Sequence, residues 1–234
     1  TLSWKAVKDR LEKTADAKGY ILYTRVDDGS FDTGRIIPSG EIKSSGDGTL
    51  SINLHIESGH IYSYRIVAFN NGGRSFPSET VSIGIPERGS KGKVLIVNNF
   101  YRVGAPSFFD GPFYAGFDNY TDSGVPYIED LAFTGAMHEF HRMHGWLDDD
   151  TAGFGSSFRD YACTKVAGNT FDYALVHGKS LLKAGYAFYS CSNTAFISDS
   201  NYAGDAQVLD LICGKQITTV TGKDRRRYKV FPEE

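Results

Sequence analysis

Asp172, His177 and Ser190 are the side chains from which a nucleophilic triad could be built. A histidine that takes a proton from a serine hydroxyl, with a carboxylate to orient the imidazole, is the minimal machinery of acyl transfer. Ser190 and Ser192 close a strand-like run, and open α/β sheets place their ligands at the carboxyl ends of strands. Asn98 and Arg102 stand at the end of a second such run, at the same predicted edge. A serine in this position also serves as the cap of a following helix. The edge is therefore a candidate site with Asp172, His177 and Ser190 as its catalytic residues and Asn98, Arg102 and Ser192 as ligand contacts. A second candidate surface is the aromatic-rich stretch 100–127, where Phe108, Phe109 and Tyr114 are the candidate ligand contacts. Aromatic faces stack on sugar rings, although the same side chains pack cores and domain interfaces.

Other motifs are less complete. In His138-Glu139-Phe140-His141-Arg142-Met143-His144 the zinc-protease spacing needs a histidine where Arg142 stands, and no nearby cysteine or carboxylate pair completes a ligand set. Gly178-Lys179-Ser180 has the tail of a phosphate loop, but Tyr173 occupies the position of its first glycine. Gly153-Phe154-Gly155-Ser156-Ser157 is not a nucleophile elbow, and Asp148-Asp149-Asp150 lacks the spacing of a calcium loop. No motif calls for a metal or a cofactor.

The elements that must position these residues fall into two domains. Residues 1–88 read as strands separated by turns: 20–26 is rich in aromatic and β-branched residues, 50–56 and 81–85 alternate apolar and polar, and Asn70-Asn71-Gly72-Gly73 is a strong turn signal. Residues 89–92 form a short polar linker. Residues 93–234 begin with a continuous β-branched run, Val94 to Val97, of the kind found in buried parallel strands. Helices are predicted over 128–141, over most of 172–185 with Gly185 as the stop, and over 203–214. A strand is predicted over 187–191, and a further helix starts near Tyr228. Alternation of strand and helix implies a flavodoxin- or Rossmann-like parallel sheet, one with few strands and so expected to be incomplete. Trp4 already sits in a strand-like run, which leads us to expect that the natural protein extends upstream of Thr1.

The run from Tyr62 to Ser78 resembles the F strand, FG turn and G strand of a fibronectin type III domain. Trp4 matches that family's buried tryptophan, and Tyr62 its corner tyrosine, whose hydroxyl bonds back to nearby backbone. The stretch 8–18 is longer than an ordinary connection in that family. Over its whole length the chain is similar to large exported Bacteroidetes proteins that pair such a module with a flavodoxin-like one. The residues that carry this are Gly72-Gly73-Arg74-Ser75-Phe76-Pro77-Ser78-Glu79, Val94 to Arg102, Gly168-Asn169-Thr170-Phe171-Asp172-Tyr173 with Val176-His177-Gly178, and Val208 to Gln216. Such proteins are described as xanthan lyase-like or as N-acetylmuramoyl-L-alanine amidases. The resemblance implies an extracytoplasmic location, glycan or peptidoglycan as partner, other domains of the same polypeptide as neighbours, and a zinc amidase unit, where there is one, upstream of Thr1.

Composition narrows the field further. With 25 Lys and Arg against 28 Asp and Glu, the net charge of -3 gives no electrostatic reason to expect nucleic acid. No apolar run reaches the roughly 18 residues of a membrane span. The three cysteines, Cys163, Cys191 and Cys213, form no CxxC pair and read as small apolar fillers. The leading expectation is a non-catalytic accessory region of an exported protein acting on cell-wall peptidoglycan or polysaccharide. The alternatives are a hydrolase centred on His177 and Ser190, and a purely structural interaction protein.

Overall fold

A computed structural model of the chain describes residues 1–6, 16–99, 108–117, 135–160, 172–198, 203–213, 220–223 and 226–229. Strands β1 (Leu2–Lys5), β2 (Gly19–Val26), β3 (Arg35–Ile36), β4 (Lys43–Ser44), β5 (Thr49–Ile52), β6 (Ile61–Asn70), β7 (Gly73–Arg74), β8 (Val81–Gly84) and β9 (Lys93–Asn98) are followed by β10 (Phe108–Asp110) and β11 (Ala115–Phe117). Then come helix α1 (Tyr173–Ala184), β12 (Ala187–Ser192), the short helix α2 (Asn193–Ser198), β13 (Val208–Ile212), β14 (Val220–Lys223) and β15 (Arg226–Lys229). The chain divides into two compact units. The first comprises Thr1–Asn98, Asp172–Ser192 and Ser200–Ile212, and the second Asn99–Phe171, Asn193–Asp199 and Cys213–Glu234.

The first unit is β-rich, with one small sheet and one large mixed sheet. The small sheet has the order β1-β5-β4; the large one runs β13-β9-β12-β8-β6-β2-β3, with β7 added to β6. The pairs β2–β6, β6–β8 and β8–β12 are antiparallel, whereas β12–β9 and β9–β13 are parallel. Residues 89–92 connect β8 to β9, two strands of the same sheet with β12 between them. The polypeptide thus passes from antiparallel to parallel strands without leaving the sheet. Alternation on β2, β5 and β6 delivers Leu22, Ile52, Tyr64 and Ile66 to one core, against which Leu2, Trp4, Tyr20 and Tyr62 pack. The Tyr62 hydroxyl accepts the Glu57 amide at 3.3 Å, and the Trp4 and Tyr20 rings meet edge-on with centroids 5.2 Å apart. The hairpin between β6 and β7 turns where expected: Gly73 takes φ 144 and the Gly72 amide donates to Asn70 Oδ1 at 2.7 Å.

Val94, Leu95, Ile96 and Val97 of β9 are all buried, as a strand flanked on both sides must be. Helix α1 covers the sheet with Ala174, Leu175 and Gly178. It stops at Gly185, whose φ of 88 is the left-handed conformation that closes helices, and Lys91 donates to the freed carbonyl of Ala184 at 2.9 Å. Gly178 is required by packing: a Cβ there would lie 2.2 Å from Cζ of Phe188. The Phe188 ring is buried between Gly178 of α1 and Gly84 of β8, where an added Cβ would lie 2.7 Å from Phe188 Cε1.

The structure departs from expectation at several elements. The helix predicted over 203–214 is a turn at Ala203 followed by β13. Its segment Val208–Ile212, four apolar residues around Asp210, is too short for periodicity to separate helix from strand, and β9 offers it a complete parallel ladder from Val208↔Val94 to Ile212↔Asn98. Tyr228 and Lys229 belong to β15, paired with β14, rather than to a helix start. Of the helix predicted over 128–141, the described part is extended. Met137 bridges Ser157, His141 bridges Tyr114, and the His138 amide goes to the Ser156 carbonyl. The aromatic-rich stretch 100–127, for which no strand is predicted, contains the β10–β11 hairpin. Arg102, Cys163 and most of the 8–18 stretch lie outside the described residues.

Candidate functional site

One row of residues crosses the large sheet of the first unit in register. Arg25 of β2 stands opposite Ser63 of β6, and Ser63 opposite Ser82 of β8. Ser190 of β12 lies beside Ile96 of β9, and Ile96 beside Asp210 of β13. Hydrogen bonds join the polar members. Arg25 Nη2 donates to Ser63 Oγ at 3.0 Å, the Ser63 and Ser82 hydroxyls are 2.9 Å apart, and the Ser82 amide donates to Ser190 Oγ at 2.7 Å.

Helix α1 is fastened to both ends of this row. At one end Asp172, immediately before the helix, receives a bidentate pair from Arg25, with both bonds 2.7 Å long. The Arg25 side chain is only 10% exposed, and a fork-on-carboxylate pair of this kind is the strong form of an ion pair. Asp172 thereby gives up capping the helix with its own side chain. At the other end His177 Nδ1 lies 2.6 Å from Asp210 Oδ2, with the imidazole 39% exposed.

Asp172, His177 and Ser190 are therefore not brought together. Asp172 engages Arg25, His177 engages Asp210, and the Ser190 oxygen accepts a backbone amide. Two strand spacings of about 4.8 Å separate the Ser190 and Asp210 positions. Asp210 was missed as a partner of His177 because its segment reads as a helix. Arg25 was missed because a single basic residue in a strand gives no signal of its helix-side partner.

At the carboxyl edge, Asn98 is buried; its Nδ2 donates to the Thr80 carbonyl at 3.4 Å, and Thr80 Oγ1 in turn accepts Arg65 Nε at 2.8 Å. Ser192 ends β12 in register with Asn98 and is half-buried. Cys191 is buried, and burial, with the Glu79 carboxylate nearby, pushes its thiol up to about 12. A thiol of that kind is inert at neutral pH.

The second unit carries a different surface. Phe109 packs on Phe140 with ring centroids 5.6 Å apart, and Phe108 is half-buried. Tyr114 is 57% exposed and stands edge-on to His141 at 4.9 Å. The His141 ring in turn lies 4.8 Å from that of His144. Glu139 holds this group in place: it accepts the His141 amide at 2.7 Å and His144 Nδ1 at 2.8 Å. The His141 amide, then His144, draw its carboxyl below the usual range. Arg142 donates to the Gly111 carbonyl at 2.9 Å and pairs with Asp110, which ties the 137–144 segment to the β10–β11 hairpin. Around this scaffold Phe113, Met143, Leu147, Phe154 and Phe158 are exposed, as is Trp146 at 65%. Sequence reasoning missed Trp146. Its signal was large apolar residues scattered through a Gly- and Asp-rich stretch with no period.

Among the described residues no three His, Cys, Asp or Glu side chains converge as a metal set, and no helix is long and apolar enough to cross a membrane. A shallow cleft of about 270 Å³ lies beside the β6–β7 hairpin, lined by Ile36, Phe69 and Arg74 among others, and none of the candidate site residues lines it. No family model matches the chain, and neither does any curated protein or solved structure.

Proposed function

We propose that the chain is a non-catalytic accessory and binding region of an exported multidomain protein that acts on cell-wall peptidoglycan or polysaccharide. The observation that carries this reading is the concentration of exposed aromatic side chains on one braced scaffold in the second unit, Tyr114 and Trp146 foremost. Scattered exposed apolar residues are ordinary; a concentration of them marks a binding surface. In the first unit Asp172 and His177 are instead spent on holding α1 to the sheet, and Ser190 on accepting the Ser82 amide. The fibronectin type III reading of residues 1–88 is supported by the Trp4 packing and by the bond from the Glu57 amide to Tyr62. A flavodoxin-like reading of the remainder is supported by three parallel strands with α1 on their face.

The test is cosedimentation of the chain with insoluble peptidoglycan and with neutral polysaccharide. Tyr114→Ala and Trp146→Ala are each expected to weaken binding about tenfold, the ~1.4 kcal/mol of a lost stacking contact. Both are exposed, so thermal stability should hold. Binding that neither substitution disturbs removes the aromatic surface from the proposal.

A second reading is hydrolysis at His177. A histidine oriented by Asp210 at 2.6 Å is the base-and-orienter half of a general-base site. It predicts glycan or peptidoglycan turnover that His177→Gln abolishes; no turnover by the intact chain eliminates it.

A further inference from the structure

Resting on the glycan-binding reading above, we infer that the aromatic surface of the second unit accepts uncharged glycan chains and discriminates against acidic ones. The rings of Tyr114, His141 and His144 follow one another at centroid spacings of 4.9 and 4.8 Å, and Trp146 comes two residues later. The chain then makes a tight turn, in which Asp148 bridges Thr151 and the Leu147 amide reaches the Thr151 carbonyl at 3.0 Å. Asp148 Oδ1 accepts the amides of Asp150 and Thr151 at 3.0 and 2.7 Å, which fixes the turn's shape. Asp148, Asp149 and Asp150 are all exposed on it.

The remaining charge decides what the rings can receive. Asp110 is paired with Arg142, and the two oxygens of Glu139 are already engaged by the His141 amide and by His144 Nδ1. Among the described residues, none of Asp148, Asp149 and Asp150 forms an ion pair. Three uncompensated carboxylates thus follow directly on Trp146 and Leu147. A neutral sugar stacked on the rings can donate its hydroxyls to these oxygens in charge-assisted hydrogen bonds. A uronate chain would bring its own carboxylates within a Debye length of about 10 Å of them and be repelled. Because the Asp148 side chain is needed for the turn, the charge is removed with asparagine, which keeps the accepting oxygen.

The experiment is calorimetric titration of the whole chain, at low ionic strength, with chitohexaose, cellohexaose and hexagalacturonate. At least one neutral hexamer is expected to bind about tenfold more tightly than hexagalacturonate. The triple variant Asp148→Asn/Asp149→Asn/Asp150→Asn should close most of that gap from both sides, tightening hexagalacturonate and weakening the neutral chain, whose hydroxyls lose their charged acceptors. Hexagalacturonate binding the unaltered chain as tightly as the neutral hexamers overturns the selectivity and leaves the glycan reading standing. Binding of none of the three overturns the selectivity, and absence of cosedimentation with peptidoglycan as well overturns the glycan reading.

Discussion

Replacing Gly178 by alanine should destabilise the first unit, against the usual sign for a helix glycine. In an exposed helix the change gains about 1 kcal/mol, because glycine is the more costly residue to order. Gly178 is instead buried in the middle of α1, and the new Cβ would meet Phe188 Cζ at 2.2 Å and Cε1 at 2.6 Å. Ordinary carbon contacts begin near 3.5 Å, so something must move by about 1.3 Å. Phe188 cannot withdraw easily. Its ring is fully buried, and Gly84 on β8 has no Cβ because the same ring occupies that space. The alternative is that α1 lifts, which stretches the Asp172–Arg25 and His177–Asp210 bonds at its two attachments. Overpacking of this kind costs about 1–3 kcal/mol, and subtracting the propensity gain leaves a net loss of up to about 2 kcal/mol. Urea unfolding, followed by circular dichroism, should show the midpoint falling with little change in slope. Phe188→Leu, itself destabilising, should lessen the penalty of Gly178→Ala, so that the double variant loses less than the sum by about 1 kcal/mol. A Gly178→Ala protein as stable as the parent or more so would show that the helix does not sit against Phe188 as described.

Three further outcomes follow from side chains already placed. Arg25→Met leaves Asp172 without its guanidinium partner, and breaking a largely buried pair should cost about 3 kcal/mol; the double change Arg25→Met/Asp172→Leu should recover most of it. If the single change costs under about 0.5 kcal/mol in urea titrations, the pair does not hold the helix. His60 and Asp27 form a pair at 2.7 Å that raises the His60 pKa through the Asp27 bond. On Asp27 itself burial acts upward, but the His60 bond and the Ile61 amide outweigh it and hold the carboxyl below its ordinary range. The histidine's contribution is therefore complete below about pH 6.5 and lost as pH rises through its raised value, while the aspartate's is lost only in acid. The melting temperature of His60→Gln relative to the parent should accordingly be lower at about pH 5.5 than at about pH 8.5; an offset equal at both sinks the idea. Cys191, with its thiol pushed up to about 12, should resist Ellman's reagent at neutral pH until the protein is unfolded, as peptide mapping can show.

How much of this was legible in the sequence depended on whether the cause was local. The β6–β7 turn is dictated by Asn70-Asn71-Gly72-Gly73, the end of α1 by Gly185, and the burial of β9 by four consecutive apolar residues. Each is a statement about a few neighbouring side chains, and each could be read. The identity of β13 is not local: Val208-Leu209-Asp210-Leu211-Ile212 suits a helix or a strand, and only the free ladder on β9 decides. The same holds for Asp172, His177 and Ser190. Their types suit a triad, but their partners, Arg25, Asp210 and the Ser82 amide, lie 147, 33 and 108 residues away. Gly178 belongs to the same class. Its neighbours Lys179 and Ser180 suggest a phosphate loop, whereas its lack of a side chain answers to a ring ten positions later.

The cross-sheet row also bears on whether residues 1–88, which read from their strand and turn pattern as a domain, can stand alone with the linker 89–92. Cutting the chain after Gly92 would remove Asp172 and leave the Arg25 guanidinium, 10% exposed in the intact protein, without its carboxylate. It would remove Ser190, the acceptor of the Ser82 amide, and with β12 it would turn β8 into an open edge. The Ser63–Ser82 bond and the core around Leu22, Ile52 and Tyr64 would remain. The fragment should thus keep its β-sheet circular dichroism but lose several kcal/mol of stability, of which the unpaired charge alone supplies about 3. Its β8 edge, with Val81 and Ile83, should favour association at high concentration. Arg25→Met within the fragment should then stabilise it, the reverse of its effect in the whole chain, because there is no carboxylate left to strand. A fragment as stable as the whole chain, with Arg25→Met destabilising in both, would mean that the arginine is held by its stacking on Phe31, 4.7 Å from the ring centroid, and not by the helix.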